Sequence, residues 1–302
     1  MPITFPRLKH KAGTMKGVVI ALLLPWSSQF CHAQSHPNDQ VAQKAADRVT
    51  ESKSMQDIPS PDPASAGILR FNVGLGLMST ASFSGSQEKR TLLMPQFGAN
   101  YGRLMIGQFG GAETPSLGIG YSLIDTPQWR FGVGVGSTLI NVNRGQNMTQ
   151  NSALGEIPRT VNAALFGSYR FGIFSLNANV ASDIGGHQEG TMASLGLMAN
   201  LRLTPDWSIT MGPRMTWVNS EYAKTFYGVT TEQSAASGYQ TYQASSGVNG
   251  VQFGVGSQYK LTKQLDLGAR IGISQPKNDA ANSSIADKGI RTGLGVSLNY
   301  HF

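Results

Sequence analysis

From residue 68 onward, apolar side chains recur at every second position, in runs of eight to fourteen residues separated by glycine, proline and polar residues. A period of two marks a strand with two unlike faces. Twelve such runs are predicted as strands: 68–78, 92–100, 103–110, 116–123, 129–141, 157–170, 173–183, 191–203, 207–218, 248–260, 264–274 and 290–302. Most have about the ten residues that a tilted strand needs to cross a bilayer. The connections alternate between short and long, with the stretch 111–115 the one short exception among the long ones. An up-and-down barrel with tight turns on one side and longer loops on the other produces this alternation. The expected fold is therefore all-β, a transmembrane antiparallel up-and-down β-barrel of twelve strands over residues 68–302. Ten strands is the alternative count, because the second to fourth runs carry the weakest alternation.

The two faces differ in chemistry. Phe71, Val73, Leu75 and Leu77 oppose Asn72, Gly74 and Gly76, and Phe131, Val133 and Val135 oppose Gly132, Gly134 and Gly136. Later runs place Arg170, Asp183, Arg202, Arg214, Lys260, Asp266 and Arg270 in register with the polar and glycine positions. An Arg or Lys facing lipid at mid-depth costs about 2–4 kcal/mol, which assigns these charges to the interior. Arg170, Asp183, Arg202, Arg214, Asp266 and Arg270 are accordingly the candidate lumen residues. They can line a passage for small, mostly anionic solutes, or fill the lumen with ion pairs that satisfy one another. Trp129, Tyr169, Phe171, Phe174, Trp207, Tyr259, Tyr300 and Phe302 gather at the short-turn ends, as an aromatic girdle at a membrane interface does. The last nine residues alternate up to Leu298, Tyr300 and Phe302, an ending that resembles the C-terminal assembly signal of outer-membrane barrels. That resemblance implies recognition by the barrel-assembly machinery, with outer-membrane lipid around the strands.

The beginning of the chain carries a matching address. Arg7, Lys9, Lys11 and Lys16 precede an apolar run over 17–25, and Cys31-His32-Ala33 offers a cleavage site, so residues 1–33 read as a secretory signal peptide, starting at Met1 or at Met15. The run is far too short to span a bilayer as a helix. Ser28-Gln29-Phe30 lacks the small residues that lipidation of Cys31 requires. With cleavage after Ala33 the single cysteine leaves, and cysteine-based metal or thiol chemistry leaves with it. The formal charge of +7 shrinks as well, because the twenty Lys and Arg that remain exceed the seventeen Asp and Glu by only three. A nucleic-acid partner is therefore not expected. Residues 34–67 are polar and end in a proline-rich stretch, which predicts a flexible periplasmic leader, with a transient helix near 41–49.

Enzyme chemistry finds little support. After cleavage the histidines are His36 in the leader, His187 in a loop and His301 at the last strand's end, and no two share a metal-ligand spacing. No catalytic residues, metal or cofactor are expected. The Gly-x-Gly triplets lack the third glycine and the following helix of a dinucleotide fingerprint, and read instead as crowded inner-face positions of a small barrel. The longest loop holds Tyr222, Phe226, Tyr227, Tyr239 and Tyr242, an aromatic set suited to a surface ligand or to folding back over the barrel mouth.

That loop also carries a family resemblance. Its segment Glu221-Tyr222-Ala223-Lys224-Thr225-Phe226-Tyr227-Gly228-Val229, followed by Gln233 to Gly238 and Tyr242, is similar to the long-loop signature of the MipA/OmpV family of outer-membrane proteins. Gly118 to Tyr121, Tyr169-Arg170-Phe171-Gly172, Phe174-Ser175-Leu176 and Trp207-Ser208 with Gly212-Pro213 add to it, so that the resemblance covers 68–302. It implies a non-enzymatic barrel. In one branch this is a scaffold that joins a lytic transglycosylase to a penicillin-binding protein during murein growth. In the other it is a porin-like or adhesive surface protein.

Overall fold

The computed structural model describes residues 69–81, 89–109, 116–139, 141–144, 152–187 and 189–302. The predicted signal peptide (1–33) and leader (34–67) lie outside the described residues. Fourteen strands follow in chain order: β1 (Leu69–Ala81), β2 (Lys89–Tyr101), β3 (Leu104–Phe109), β4 (Ser116–Asp125), β5 (Trp129–Thr138), β6 (Val142–Asn143), β7 (Glu156–Ile157), β8 (Val161–Phe171), β9 (Phe174–Asp183), β10 (Thr191–Arg202), β11 (Trp207–Val218), β12 (Gly247–Lys260), β13 (Leu265–Pro276) and β14 (Arg291–His301). All but β6 and β7 close into one twelve-stranded barrel of antiparallel neighbours, sealed by β14 against β1 with Leu75 opposite Leu298. Closure removes every sheet edge, which a strand in lipid requires because no water is there to satisfy its backbone.

Side-chain alternation follows the pleat. Leu93 is 64% exposed and Ile271 50%, whereas Met105 on the inner face of β3 is 3% exposed. A continuous apolar outer surface of this size is stable only against lipid. The two-residue turns at Gly102-Arg103 and Gly172-Ile173 hold glycine at φ +57° and +61°, the left-handed position that tight hairpins demand at their first residue. Aromatic rings meet at this same end: Trp129 against Tyr169 at 4.3 Å, Phe171 against Phe174 at 5.8 Å, and Phe71 stacked on Phe302 at 4.2 Å.

The twelve predicted strands match the barrel to within four residues at every boundary. The run 129–141 stops at Thr138 and the run 157–170 starts at Val161. Ile157 belongs instead to the outer ladder β6–β7, where it pairs with Val142, and both are buried. The outer loops also contain helices that the alternation did not announce: α1 (Ser220–Tyr227), α2 (Thr231–Ser237) and α3 (Asp279–Asn282). Asn219 caps α1 by accepting from the Tyr222 N–H, and the same side-chain oxygen accepts from the Thr191 N–H at 3.0 Å, so one residue fixes the helix to β10. Thr230 and Gln233 form a capping box on α2, which ends at Gly238 with φ +79°.

These loops make a cap with a hydrophobic core of its own. Val142, Ile157, Val218, Tyr222, Ala223, Phe226, Tyr227, Ala244 and Ala280 form one buried cluster, and Leu154, Val229 and Ile285 a second. Val218 and Met192 belong to the ends of β11 and β10, so the cap core continues into the barrel wall. Polar ties cross between loops: Arg144 donates to the carbonyls of Gly228 and Leu154, Ser283 to the Tyr227 carbonyl at 2.6 Å, and Gln233 to the Leu154 carbonyl at 2.7 Å.

Candidate functional site

The inner face sorts the candidate lumen residues by height. At the short-turn end, Arg202 donates to the Pro205 carbonyl at 2.9 Å, while Arg170 is the last residue but one of β8, before Phe171. Asp266 sits at this end too, accepting from Gln258 at 2.8 Å and lying 2.9 Å from His301 Nε2. Beside them is a pair that was not among the candidates, Arg130 and Asp125, at 3.6 Å. These two residues flank a tight turn and are register partners, which was the available signal for pairing them. His301, set aside as a terminal residue, is the side-chain partner of Asp266. Its signal was its inward parity opposite Asn72, one register step from the Asp266–Asn299 pair.

Asp183 lies at the opposite rim. It accepts from Thr160 Oγ1 at 2.5 Å, from the Gly185 N–H at 2.8 Å and from the Glu189 N–H at 3.1 Å, so its carboxylate organises the β9–β10 loop. His187 joins the group through Nδ1, 3.2 Å from Thr160 Oγ1. Glu189 is buried there, and burial together with the charge of Asp183 pushes its carboxyl up to about 7. Among the described residues no group of three acidic, histidine or cysteine side chains is arranged to hold a metal ion.

Between the two ends stand Arg214 and Arg270. Arg214 on β11 faces Gln252 of β12, and Arg270 on β13 faces Gly256 of β12 and Gly295 of β14. The two stand two strands apart, with their partners on β12 four residues apart. The six candidates thus separate into three groups, of which Arg214 and Arg270 make the one between the ends.

The loop aromatics are turned inward. Tyr222, Phe226 and Tyr227 are buried, with the rings of Tyr222 and Phe226 stacked at 4.1 Å. Tyr239 and Tyr242 pack against the second cluster. Tyr242 donates to Asp279 at 2.7 Å, and burial and that carboxylate raise its hydroxyl to about 12. At the opposite end of the barrel, Leu298 lies between Leu75 and Leu267, Tyr300 between Val73 and Leu265, and Phe302 donates its N–H to the Phe71 carbonyl at 2.9 Å.

Solved structures of similar shape are outer-membrane barrels. OmpT of Vibrio cholerae is 9% identical, with a TM-score of 0.37 over 78% of this chain and 97% of that one. The NanC porin is 8% identical, with a TM-score of 0.43 over 76% and 98%. An outer-membrane channel from Pseudomonas putida F1 is 14% identical, with a TM-score of 0.41 over 80% and 100%. No curated protein matches the sequence. The family described as MltA-interacting protein MipA matches residues 73–302, from the first barrel strand to the last residue, on a closed barrel with a lipid-facing apolar surface. The chain belongs to the MipA family of outer-membrane β-barrels.

Proposed function

We propose that the protein is a non-enzymatic scaffold of the outer membrane that holds a murein-processing enzyme at the periplasmic end of its barrel. The family description, a protein that interacts with MltA, supports the class of partner. The observation that carries the reading is the contrast between the two ends of the barrel. The outer loops spend their aromatic side chains on the core of the cap. At the other end, the turns at 124–128, 204–206 and 261–263 are exposed and short. Backbone hydrogen bonds close them, Thr126 to Trp129 at 2.8 Å, Leu203 to Trp207 at 2.9 Å and Leu261 to Leu265 at 2.8 Å. Short, closed turns present a fixed surface, which lowers the ordering cost of docking a partner. A lytic transglycosylase is the partner this reading names first, with a penicillin-binding protein as the second.

Capture from detergent-solubilised membranes tests it. The wild-type barrel should retain a murein hydrolase, and Gly/Ser replacement of the three turns should abolish retention while the barrel stays heat-modifiable. Retention unchanged by the grafts, or no murein enzyme retained by the wild type, overturns the scaffold. A second reading, a channel for small solutes, is favoured by Arg214 and Arg270 in the barrel interior. Conductance of the purified barrel in planar bilayers, altered by neutral replacement of both, supports that reading instead.

A further inference from the structure

Arg270 stands on a bare part of the inner wall. Its cross-strand partners are Gly256 and Gly295, the next inward residue along β13 is Gly272, and the partners of that residue are Gly254 and Gly293. None of these five glycines has a positive φ. A Cβ built on any of them meets nothing closer than 3.7 Å. Neither backbone conformation nor crowding therefore requires glycine at these places, although glycine within a strand weakens it. What the five share is room for a side chain, clear of the other described residues, beside one guanidinium. Among the described residues Arg270 has no hydrogen-bond or ion-pair partner.

We propose that this glycine-floored hollow is a binding site for small oxyanions, carboxylates or phosphates, with Arg270 as the anchor and Arg214 as the second cation. The chemistry follows from the donors. A guanidinium offers a planar fork that matches two oxygens of a carboxylate or phosphate, and such charge-assisted pairs are about twice as strong as neutral ones. β11 and β13 flank β12, about 10 Å apart across the sheet, and the partners of the two arginines on it, Gln252 and Gly256, are four residues apart along the strand, so the two long side chains start roughly 16 Å apart and reach toward each other. That separation suits an anion with oxygens at both ends, so a dicarboxylate is the expected best ligand. The site does not depend on the scaffold reading, since it uses the interior of the barrel and not its turns.

The full-length barrel, refolded in detergent micelles at pH 7 and low salt, is titrated calorimetrically with succinate and separately with inorganic phosphate. Saturable binding that weakens as potassium chloride is raised is expected for succinate at least. Arg270→Gln should weaken it about tenfold or more, the loss of one charge-assisted pair. Gly272→Leu keeps the arginine but fills the hollow, and should weaken binding comparably while the barrel remains heat-modifiable. Lys277→Gln removes a positive charge from an exposed outer loop and should leave affinity within about twofold. If Arg270→Gln does not fold, Arg270→Lys and Gly272→Leu decide the matter. Absence of saturable binding of either anion to the wild type overturns the proposal. So does affinity that neither the arginine variants nor Gly272→Leu change, or that falls as far in Lys277→Gln. Phosphate binding without succinate binding overturns the bridging geometry and leaves Arg270 the anchor of a phosphate site.

Discussion

On the β4–β5 wall a Cβ added to Gly118 would lie 2.3 Å from the Val135 carbonyl oxygen and 2.6 Å from the Gly136 Cα, and one added to Gly132 would lie 2.3 Å from the ring of Phe166. On the β12–β14 wall a Cβ at Gly254 or Gly256 would approach nothing nearer than 3.9 Å. The sequence is alike in both places, glycine alternating with an outward aliphatic or aromatic residue. At those two positions of the first wall the neighbouring atoms lie so close that only hydrogen fits. In the second the glycines leave room for something other than side chains. Inner-face glycine in a barrel therefore has two meanings, closeness of backbones or reserved space, and only the geometry separates them.

The largest effect tests whether β13 has been given the correct inner and outer faces, on which the second wall depends. Leu267 points outward between the inward Asp266 and Gly268 and is 44% exposed. Leu267→Arg should destabilise the folded barrel by about 2–4 kcal/mol if it meets the bilayer midplane, and Gly268→Ser should cost far less. Urea titrations in lipid vesicles measure both. The reverse ranking would turn the strand inside out and move Arg270 into lipid.

Next comes the crowded wall. Gly118→Val places atoms against backbone that can move only with its strand, and should cost about 1–3 kcal/mol in the same titration. A cost below about 0.5 kcal/mol would show that β4 and β5 are further apart than described, and the contrast between the walls would collapse.

The barrel strands could be read from sequence because a bilayer imposes a local rule: every second residue faces lipid, whatever its neighbours are. That rule placed Arg214 and Arg270 on the inner face, and it ran on into Ile157 of β7, whose burial in the cap mimics burial in a wall. The cap obeys no local rule. Its core joins Arg144 to Gly228, 84 residues apart, and Ser283 to Tyr227, 56 apart. Signals for the helices were present, in Asn219 ahead of Tyr222, Ala223, Phe226 and Tyr227 and in the Thr230–Gln233 pair. Each helix has at most eight residues, too few for a 3.6-residue period to stand out. The pairing of Asp266 with His301 depends on the register of two strands 35 residues apart, which alternation does not supply.

Crowding outside the β12–β14 wall extends to charge, at the outer rim beside β9. Glu189 has an ordinary carboxyl value of 4.5 when unfolded and about 7 when folded, since burial and Asp183 both disfavour its anion. Below 4.5 the proton is held in both states and there is no penalty. As pH rises from 4.5 to 7 the unfolded chain releases the proton and the folded loop does not, so stability falls across that window and stays reduced above it. The loss should be on the order of 1 kcal/mol, because the group lies in a rim loop where nearby solvent screens its charge. Hydrogen exchange of the β9–β10 loop between pH 4.5 and 7.5 should show protection falling with pH, after correction for intrinsic exchange. Glu189→Gln should flatten the dependence, and a slope unchanged in that variant would assign it to another group.

The smallest effect has the opposite sign and bears most directly on the second wall. Gly272→Ala adds one methyl at a position with ordinary φ, where the nearest atom, the Phe253 carbonyl oxygen, lies 3.7 Å from the new carbon. The added carbon restricts the unfolded chain without straining the folded one, so the variant should be more stable than wild type by about 0.5–1 kcal/mol. Gly118→Ala, with a backbone oxygen 2.3 Å from its Cβ, should be less stable than wild type in the same experiment. Opposite signs for the same substitution, measured by urea titration in one lipid, would establish that the open wall gives up stability to keep its interior clear. That sacrifice is expected of a place kept for a ligand, and alanine, being small, should leave anion binding at Arg270 nearly intact where leucine removes it. If both alanine variants are destabilised alike, the glycines of β12–β14 are structural and the space around Arg270 has no function.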